Sequence, residues 1–504
     1  MKRHRFITAS IVLALAAQSG LAAAQIPKPA TALTPEQVMR INRATWGVTT
    51  ASLRQPGAAL EQPTTVPAKM PPAVERQIAQ MRISRETLAQ IFLDFDAKKK
   101  MFLSIKDPVE KRAAMDAYYH EMNDLTNQAA KRSILRDIYS PDQLRENITW
   151  FWFNHFTVFK YKTETGAMIG DYEDKLRNHA FGHFRDILEV TLRHPAMLLY
   201  LDNSQNAVGH INENYAREIL ELHAMGVGSG YSQKDVQELA RILTGVSFRT
   251  DNGQPHMSAA LQSRYIRDGM FEFDPTRHDF GTKHFLGHTI EGTGYGEVKQ
   301  ALDLIATSTA TARHVSQQLA TYFIGAPPSP ALVATMTAAW QRSNGDIATV
   351  LRAMFQSPEY RASLGHGFKD PMHYVISAIR FAYDDQVIDN VDPILNWLNR
   401  MGEGLYAHQT PEGYSMAASA WASPGQMETR MEFALMIGHG APGLFTPPTA
   451  PPNTPSPSPH LQNALYAQSF DHALSPGTRR ALGQAKNPAQ WNMLFLASPE
   501  FMRR

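Results

Sequence analysis

Along most of the chain apolar residues recur at three- and four-residue spacing, the period of helices with one buried face. Thr34-Pro35 has the form of an N-cap followed by Pro at the first helical position, and opens a helix that stops near Gly47. Ser140-Pro141 repeats that start signal before DQLRENITWFWFNHFTVF. Ser232-Gln-Lys-Asp235 has the form of a capping box, followed by VQELARILT and a stop at Gly245. Similar periodicity predicts helices around 84–98, 107–131, 173–200, 299–323, 330–356, 371–384 and 425–438. Strand signals are few and short: Val246-Ser-Phe248, Met270-Phe-Glu-Phe273 and His284-Phe-Leu286. All three lie in a Gly/Asp-rich stretch over 245–296. The fold expected is mainly α: a large irregular helical domain carrying a small β-hairpin-like insert.

Two segments break the pattern. Prolines crowd 441–460 and exclude regular helix or sheet there, so a Pro-rich loop separates the body, 25–440, from a C-terminal helical segment, 461–504, that packs back on it. An apolar stretch ending Ser357-Pro358-Glu359-Tyr360 is echoed by another ending Ser498-Pro499-Glu500-Phe501. The echo is either a duplicated helical unit or a coincidence of a common helix boundary.

Composition narrows the chemistry. The 504 residues include no Cys, which removes disulfides, thiolate nucleophiles and Cys-ligated metal sites together. A net charge of +2 gives no electrostatic case for nucleic-acid binding. The first 24 residues have the form of a signal peptide: Lys2, Arg3 and Arg5, an apolar run from Phe6 to Ala17, then Ala22-Ala23-Ala24. Cleavage after Ala24 removes three of the 49 basic residues and leaves 46 against 47 acidic. No later stretch is apolar for long enough to span a membrane, so a periplasmic or secreted protein is expected.

Four stretches occur in order: WFWFNHFTV (150–158), HPAMLLYLDNSQN (194–206), NENYAREILELHAMGVGSGYSQKDVQELARILTGVSF (212–248) and HDFGTKHFLG (278–287). With RATWGVTTASL (43–53), they resemble the bacterial exported family known as domain of unknown function 1800. That family's late Gly-Trp-rich motif has an altered counterpart in TPEGYSMAASAWASPGQMETR (410–430), where Gly413 and Trp421 correspond. The resemblance implies an exported, mostly helical protein, often encoded beside an exported phosphatase/sulfatase-like protein that is a candidate partner. It implies no activity.

Candidate chemistry is read from the residues themselves. On a regular helix Asn214, Glu218 and Glu221 fall within about 60° of one another beside Arg217. Glu218 and Glu221 could share a proton or hold a divalent cation, or could be stitched into Glu213–Arg217–Glu221 ion pairs on a solvated face. His223 points away from them, which favours a hydrogen-bonded core role. Trp150, Phe151, Trp152, Phe153 and Phe156 surround the next candidate helix, leaving Asn147, Asn154 and His155 as a polar arc of about 80° inside it. Buried groups of this kind need partners, and His155 is the histidine best placed for general-base or ligand work. His278-Asp279, with Lys283 and a nearby Gly in a predicted loop, could orient an imidazole or bind a cation, or could be a turn of ordinary surface charge. Asp202 to Asn206 is oxygen-rich but lacks the spacing of a calcium loop. The candidate catalytic set is therefore His155, Glu218, Glu221, His278 and Asp279, with Asn154, Asn212, Asn214, Arg217 and Lys283 binding substrate. No motif for an organic cofactor occurs. Acid–base or metal-assisted hydrolysis of an envelope polymer or exported protein is one expected function. A non-catalytic assembly factor for the phosphatase/sulfatase-like companion is the other.

Overall fold

A computed structural model describes residues 32–54, 61, 69–447, 449, 451, 454 and 458–504; the expected signal peptide and part of the Pro-rich loop lie outside them. Helix starts follow the capping chemistry closely. Thr34 Oγ1 accepts from the Gln37 amide and the Gln37 side chain accepts from the Thr34 amide, opening Pro35–Ala44. Ser232 and Asp235 form the same reciprocal pair before Gln233–Ile242. Ser140-Pro141 behaves differently from expectation. Ser140 closes the helix Pro108–Tyr139, and Asp142 caps Gln143–His155 by accepting from the Arg145 amide. A carboxylate complements the positive end of a helix better than a hydroxyl does, and Ser140 Oγ turns instead to the Asp142 amide at 3.3 Å.

Several long periodic stretches are broken by local chemistry. The 173–200 stretch resolves into Thr165–His179, Phe184–Arg193 and Pro195–Tyr200, with breaks at Gly182 and before Pro195. Ser308 ends Tyr295–Thr307 and caps Thr309–Ile324. Left-handed Asn344 and Gly345 (φ +54° and +77°) separate Pro330–Ser343 from Ile347–Phe355.

The β structure is two small antiparallel sheets rather than one hairpin-like insert. Phe271–Phe273 is central between Val246–Phe248 and Ile266–Asp268, with Val246 and Ile266 both opposite Phe273. Lys283–Phe285 and His288–Ile290 form a separate hairpin closed at Leu286-Gly287. Ile266–Asp268 and His288–Ile290 escape a pattern reading because each three-residue strand is mostly polar.

The Ser-Pro-Glu echo has a structural counterpart. Ser357 Oγ accepts from the Tyr360 amide and Ser498 Oγ from the Phe501 amide, and both aromatics are buried. Each following glutamate reaches the start of another Ser-Pro helix. Glu359 accepts from the Ser329 amide before Pro330–Ser343, and Glu500 from the Ser475 amide before Pro476–Gly483. The same device is used twice, each time tying a helix end to an earlier helix start.

Residues 461–504 belong to the same compact unit as the rest of the described chain. Pro424–Gly438 and Pro488–Leu496 approach so closely that a Cβ on Gly438 would sit 2.7 Å from the Ala489 carbonyl oxygen. Phe381, Phe470, Phe495 and Phe501 pack as one aromatic cluster at this junction. Among the described residues no helix is long and apolar enough to cross a membrane.

Candidate functional site

Past Glu218 the helix Asn214–Glu218 widens into a π turn over Ile219–His223. A π turn frees carbonyls from the usual pairing, so its end needs other donors. The imidazoles of two other helices supply them. His155 Nε2 donates to the His223 carbonyl at 2.8 Å, and His314 Nε2 donates to the Leu222 carbonyl at 3.1 Å. Both imidazoles are held in the neutral form, His155 pushed down to about 3 and His314 lowered, because burial disfavours the charged ring. Phe151, Trp152 and Phe156 enclose His155. His155 is thus a cap inside the core, and it lines none of the clefts described below. His223 is buried as expected, at 1 % exposure, but it is not hydrogen-bonded: neither ring nitrogen has a partner.

The π turn falls between Glu218 and Glu221, yet the charge of Glu221 still acts on Glu218 and helps to raise its carboxyl. Arg217 pairs with Glu213 at 3.0 Å and Glu221 at 3.3 Å, the surface ladder. Glu218 instead lines a cleft of about 390 Å³. Asn212 and Asn214 serve the turn beneath. Asn212 Oδ1 accepts from the Asn214 amide, and Asn214 Nδ2 donates to the Leu201 carbonyl at 3.2 Å. In the oxygen-rich turn, Asn203 and Asn206 bind backbone carbonyls of Val246 and Ala240, and Asp202, at φ +61°, pairs with Lys162 at 2.7 Å.

His278, Asp279 and Lys283 lie in a different place from the cleft. His278 Nε2 contacts Glu297 Oε1 at 2.9 Å, and its Nδ1 meets the Thr244 carbonyl at 2.7 Å. The Lys283 ammonium donates to Glu297 Oε2 and to the Asp279 carbonyl. The side chains of His278, Lys283 and Glu297 are all 0 % exposed. Burial pushes the Glu297 carboxyl up, but hydrogen bonds from His278, Lys283 and the Gly294 amide outweigh it and hold the group below the usual range. The carboxylate that fixes His278 is therefore Glu297, not its neighbour Asp279. Asp279 binds Arg241 at 2.8 Å and so ties Gln233–Ile242 to the hairpin loop. This buried triad locks the strand region to the helix Tyr295–Thr307, and nothing in it reaches solvent.

The cleft at Glu218 is built from segments distant in sequence. Phe159 and Lys162 follow the WFWFNHFTV stretch, Tyr200 and Leu201 belong to HPAMLLYLDNSQN, and Asn214 and Glu218 belong to NENYARE. Gln409 and Pro411 come from the loop that begins the altered Gly-Trp-rich motif. Asn154 holds that loop in place. Its Nδ2 donates to the Tyr414 carbonyl at 2.8 Å and its Oδ1 accepts from the Tyr414 amide at 2.6 Å. Gly413 has φ +72°, and a Cβ there would lie 2.2 Å from the Asn154 carbonyl oxygen, so the close approach demands glycine. Tyr200 donates to the Gln409 carbonyl at 2.9 Å, a second tie between floor and loop.

Glu218 in the cleft and Glu412 on the adjoining loop are driven in opposite directions. Burial, with the charges of Glu221 and Glu412, raises Glu218 above the usual carboxylate range. Glu412, on the loop, is opposed by slight burial but is lowered by the Thr410 hydroxyl at 2.7 Å, its own backbone amide and the nearby His408. Lys162 is committed to Asp202 and to the Tyr200 carbonyl. Sequence reasoning missed Glu412, Lys162, Tyr200 and Gln409. The available signal was the acid beside Gly in Thr-Pro-Glu-Gly, flanked by the motif that supplies Gly413. Among the described residues, no three His, Asp or Glu side chains are grouped to hold a metal ion.

The model of the family described as "Protein of unknown function (DUF1800)" matches residues 39–503. The chain belongs to the DUF1800 family. No curated protein and no solved structure matches it. The match spans every segment that contributes to the Glu218 cleft and both copies of the Ser-Pro-Glu device.

Proposed function

We propose that this DUF1800 protein is an exported hydrolase that works by acid–base catalysis at the Glu218 cleft, on an envelope polymer. The observation that carries the reading is Glu218, half-buried in a cleft where four separate motifs converge and raised by that burial and by the charges of Glu221 and Glu412, the latter on the loop that supplies Gln409 and Pro411 to the lining. Two carboxyls whose environments push them apart are the usual arrangement for one group that gives a proton and one that takes it. Glu218, raised and half-buried, donates to the leaving group. Glu412, ionised on the loop, takes the proton of the attacking water. Asn154 and Gly413 are positioning residues, because they fix the loop that carries Glu412.

The test is independent of the bond cleaved. Purified envelope fractions are incubated with the exported protein in ¹⁸O-water, and released fragments are analysed by mass spectrometry. Glu218-dependent label is the expected result. An assembly factor for the phosphatase/sulfatase-like companion has no need of a raised carboxyl in an open cleft. Unlabelled fragments, together with co-purification of that companion, would favour it.

A further inference from the structure

We infer that the apex of the helical hairpin formed by Leu88–Ser104 and Pro108–Tyr139 is a docking tip that seats on an anionic lipid surface. The inference goes beyond the hydrolase reading and does not depend on it. Three observations carry it. The first is projection. No residue from Leu103 to Ala117 is buried, and the first buried side chain of the second helix is Tyr118. Ten helical residues, about 15 Å of rise, therefore stand clear of the core. The last inward anchor of the first helix is Phe102, which packs on Tyr118 with ring centroids 5.3 Å apart.

The second is the apolar surface this apex leaves bare. Met101, Leu103 and Val109 are exposed at 59 %, 57 % and 78 %, and Tyr119 is half exposed. Exposed apolar side chains scattered singly are ordinary, but these four gather at one projecting end, where they mark a surface that another phase covers.

The third is charge. Residues 97–106 carry four lysines and no acid, and 107–112 add Lys111 and Arg112 against Asp107 and Glu110. Most acids that pair with this set lie towards the root of the hairpin or beyond it. Asp94 and Glu121 hold Lys98, Asp96 holds Lys100, Asp116 holds Arg112 and Glu164 holds Lys99. Asp251, from another loop, also acts on Lys100. Asp107 is engaged by the Val109 and Glu110 amides, and Lys106 and Lys111 form no ion pair. The loop beside the hairpin extends the face. Glu164 accepts from Lys99 and from the Tyr118 hydroxyl, both at 3.1 Å. Three residues earlier Tyr161 is 68 % exposed, with the Lys160 ammonium 5.1 Å from its ring centroid. Tyrosine and lysine together suit the headgroup layer. Tyr161 also packs edge-on against Phe159 of the Glu218 cleft at 5.4 Å, so docking here brings that cleft to the lipid surface.

The mixture selects the occupant. A soluble polyanion would engage the lysines and leave the apolar apex in water, and the core of a protein–protein interface is depleted in lysine. An anionic bilayer takes both, with apolar side chains below the headgroups and ammonium groups at the phosphates.

The test is flotation of the exported chain, cleaved after Ala24, with vesicles of phosphatidylcholine alone or in equal parts with phosphatidylglycerol. The expected result is binding to the phosphatidylglycerol vesicles, about tenfold weaker on phosphatidylcholine alone. Leu103→Ser/Val109→Ser and Lys106→Gln/Lys111→Gln change exposed positions, so urea unfolding should match wild type while each weakens vesicle binding about tenfold. Failure to bind phosphatidylglycerol vesicles overturns the inference. So does binding that the lysine variant weakens and the apolar variant leaves intact, which describes a polyanion site. A wild-type dimer that Leu103→Ser/Val109→Ser abolishes would assign the tip to a second copy of this chain and overturn lipid docking as well.

Discussion

Replacing Glu297 with Gln tests whether His278 and Lys283 are structural. The carboxylate is fully enclosed and accepts from the His278 ring, the Lys283 ammonium and the Gly294 amide. Gln keeps the shape and one acceptor but leaves the Lys283 charge buried without a counter-ion. Removing one partner of such a pair costs about 3–5 kcal/mol, whereas replacing both with apolar groups is often near neutral. Urea unfolding followed by tryptophan fluorescence should therefore show Glu297→Gln destabilised by about 3–5 kcal/mol at neutral pH. The double variant Glu297→Leu/Lys283→Met should recover most of that loss. The pH dependence has a definite sign. Because the folded-state pKa is depressed, the stabilisation is complete above the unfolded value of about 4.3 and is lost as pH falls through the lower folded value. The gap between wild type and Glu297→Gln should close over that acidic range. A cost below about 1 kcal/mol, or single-variant losses that simply add in the double variant, would refute the buried-triad account.

Other expectations concern the cleft loop, the π turn and the repeated device. Asn154→Ala removes both bonds to Tyr414, and at about 1–3 kcal/mol for leaving its backbone groups unpaired, exchange of the Tyr414 amide should accelerate about 10- to 100-fold by NMR or mass spectrometry. His155→Leu orphans the His223 carbonyl and should lower stability by about 1–3 kcal/mol, with no response to added divalent metal. Glu359→Ala and Glu500→Ala each remove a helix-start acceptor, and each should cost about 1 kcal/mol in urea unfolding if the two copies are equivalent.

Much of the fold is legible in the sequence because capping and periodicity are local. Thr34-Pro35, Ser232 to Asp235 and the aromatic helix around Asn154 follow from neighbours within four residues. The failures are non-local or depend on departures from ideal geometry. The π turn after Glu218 breaks the regular period that relates Glu218 to Glu221, although the charge of Glu221 still raises Glu218. His278 takes its carboxylate from Glu297, 19 residues away, and adjacency to Asp279 gave the wrong partner. Asn154 is legible as a buried amide in need of partners, but its partner, Tyr414, is 260 residues distant. Glu412 was unreadable for the same reason: only folding brings that loop to the floor laid by Tyr200 and Glu218.

The most direct test of acid–base catalysis at this cleft is the rate of ¹⁸O incorporation into fragments released from envelope polymer, compared between wild type and Glu218→Gln across pH. A general acid contributes about 10²- to 10⁴-fold, so the variant should lose activity by that order. Wild type should show a bell-shaped profile, rising as Glu412 ionises and falling as Glu218 loses its proton above its raised pKa. A Glu218→Gln variant that incorporates label at the wild-type rate, with the same pH profile, would contradict the account.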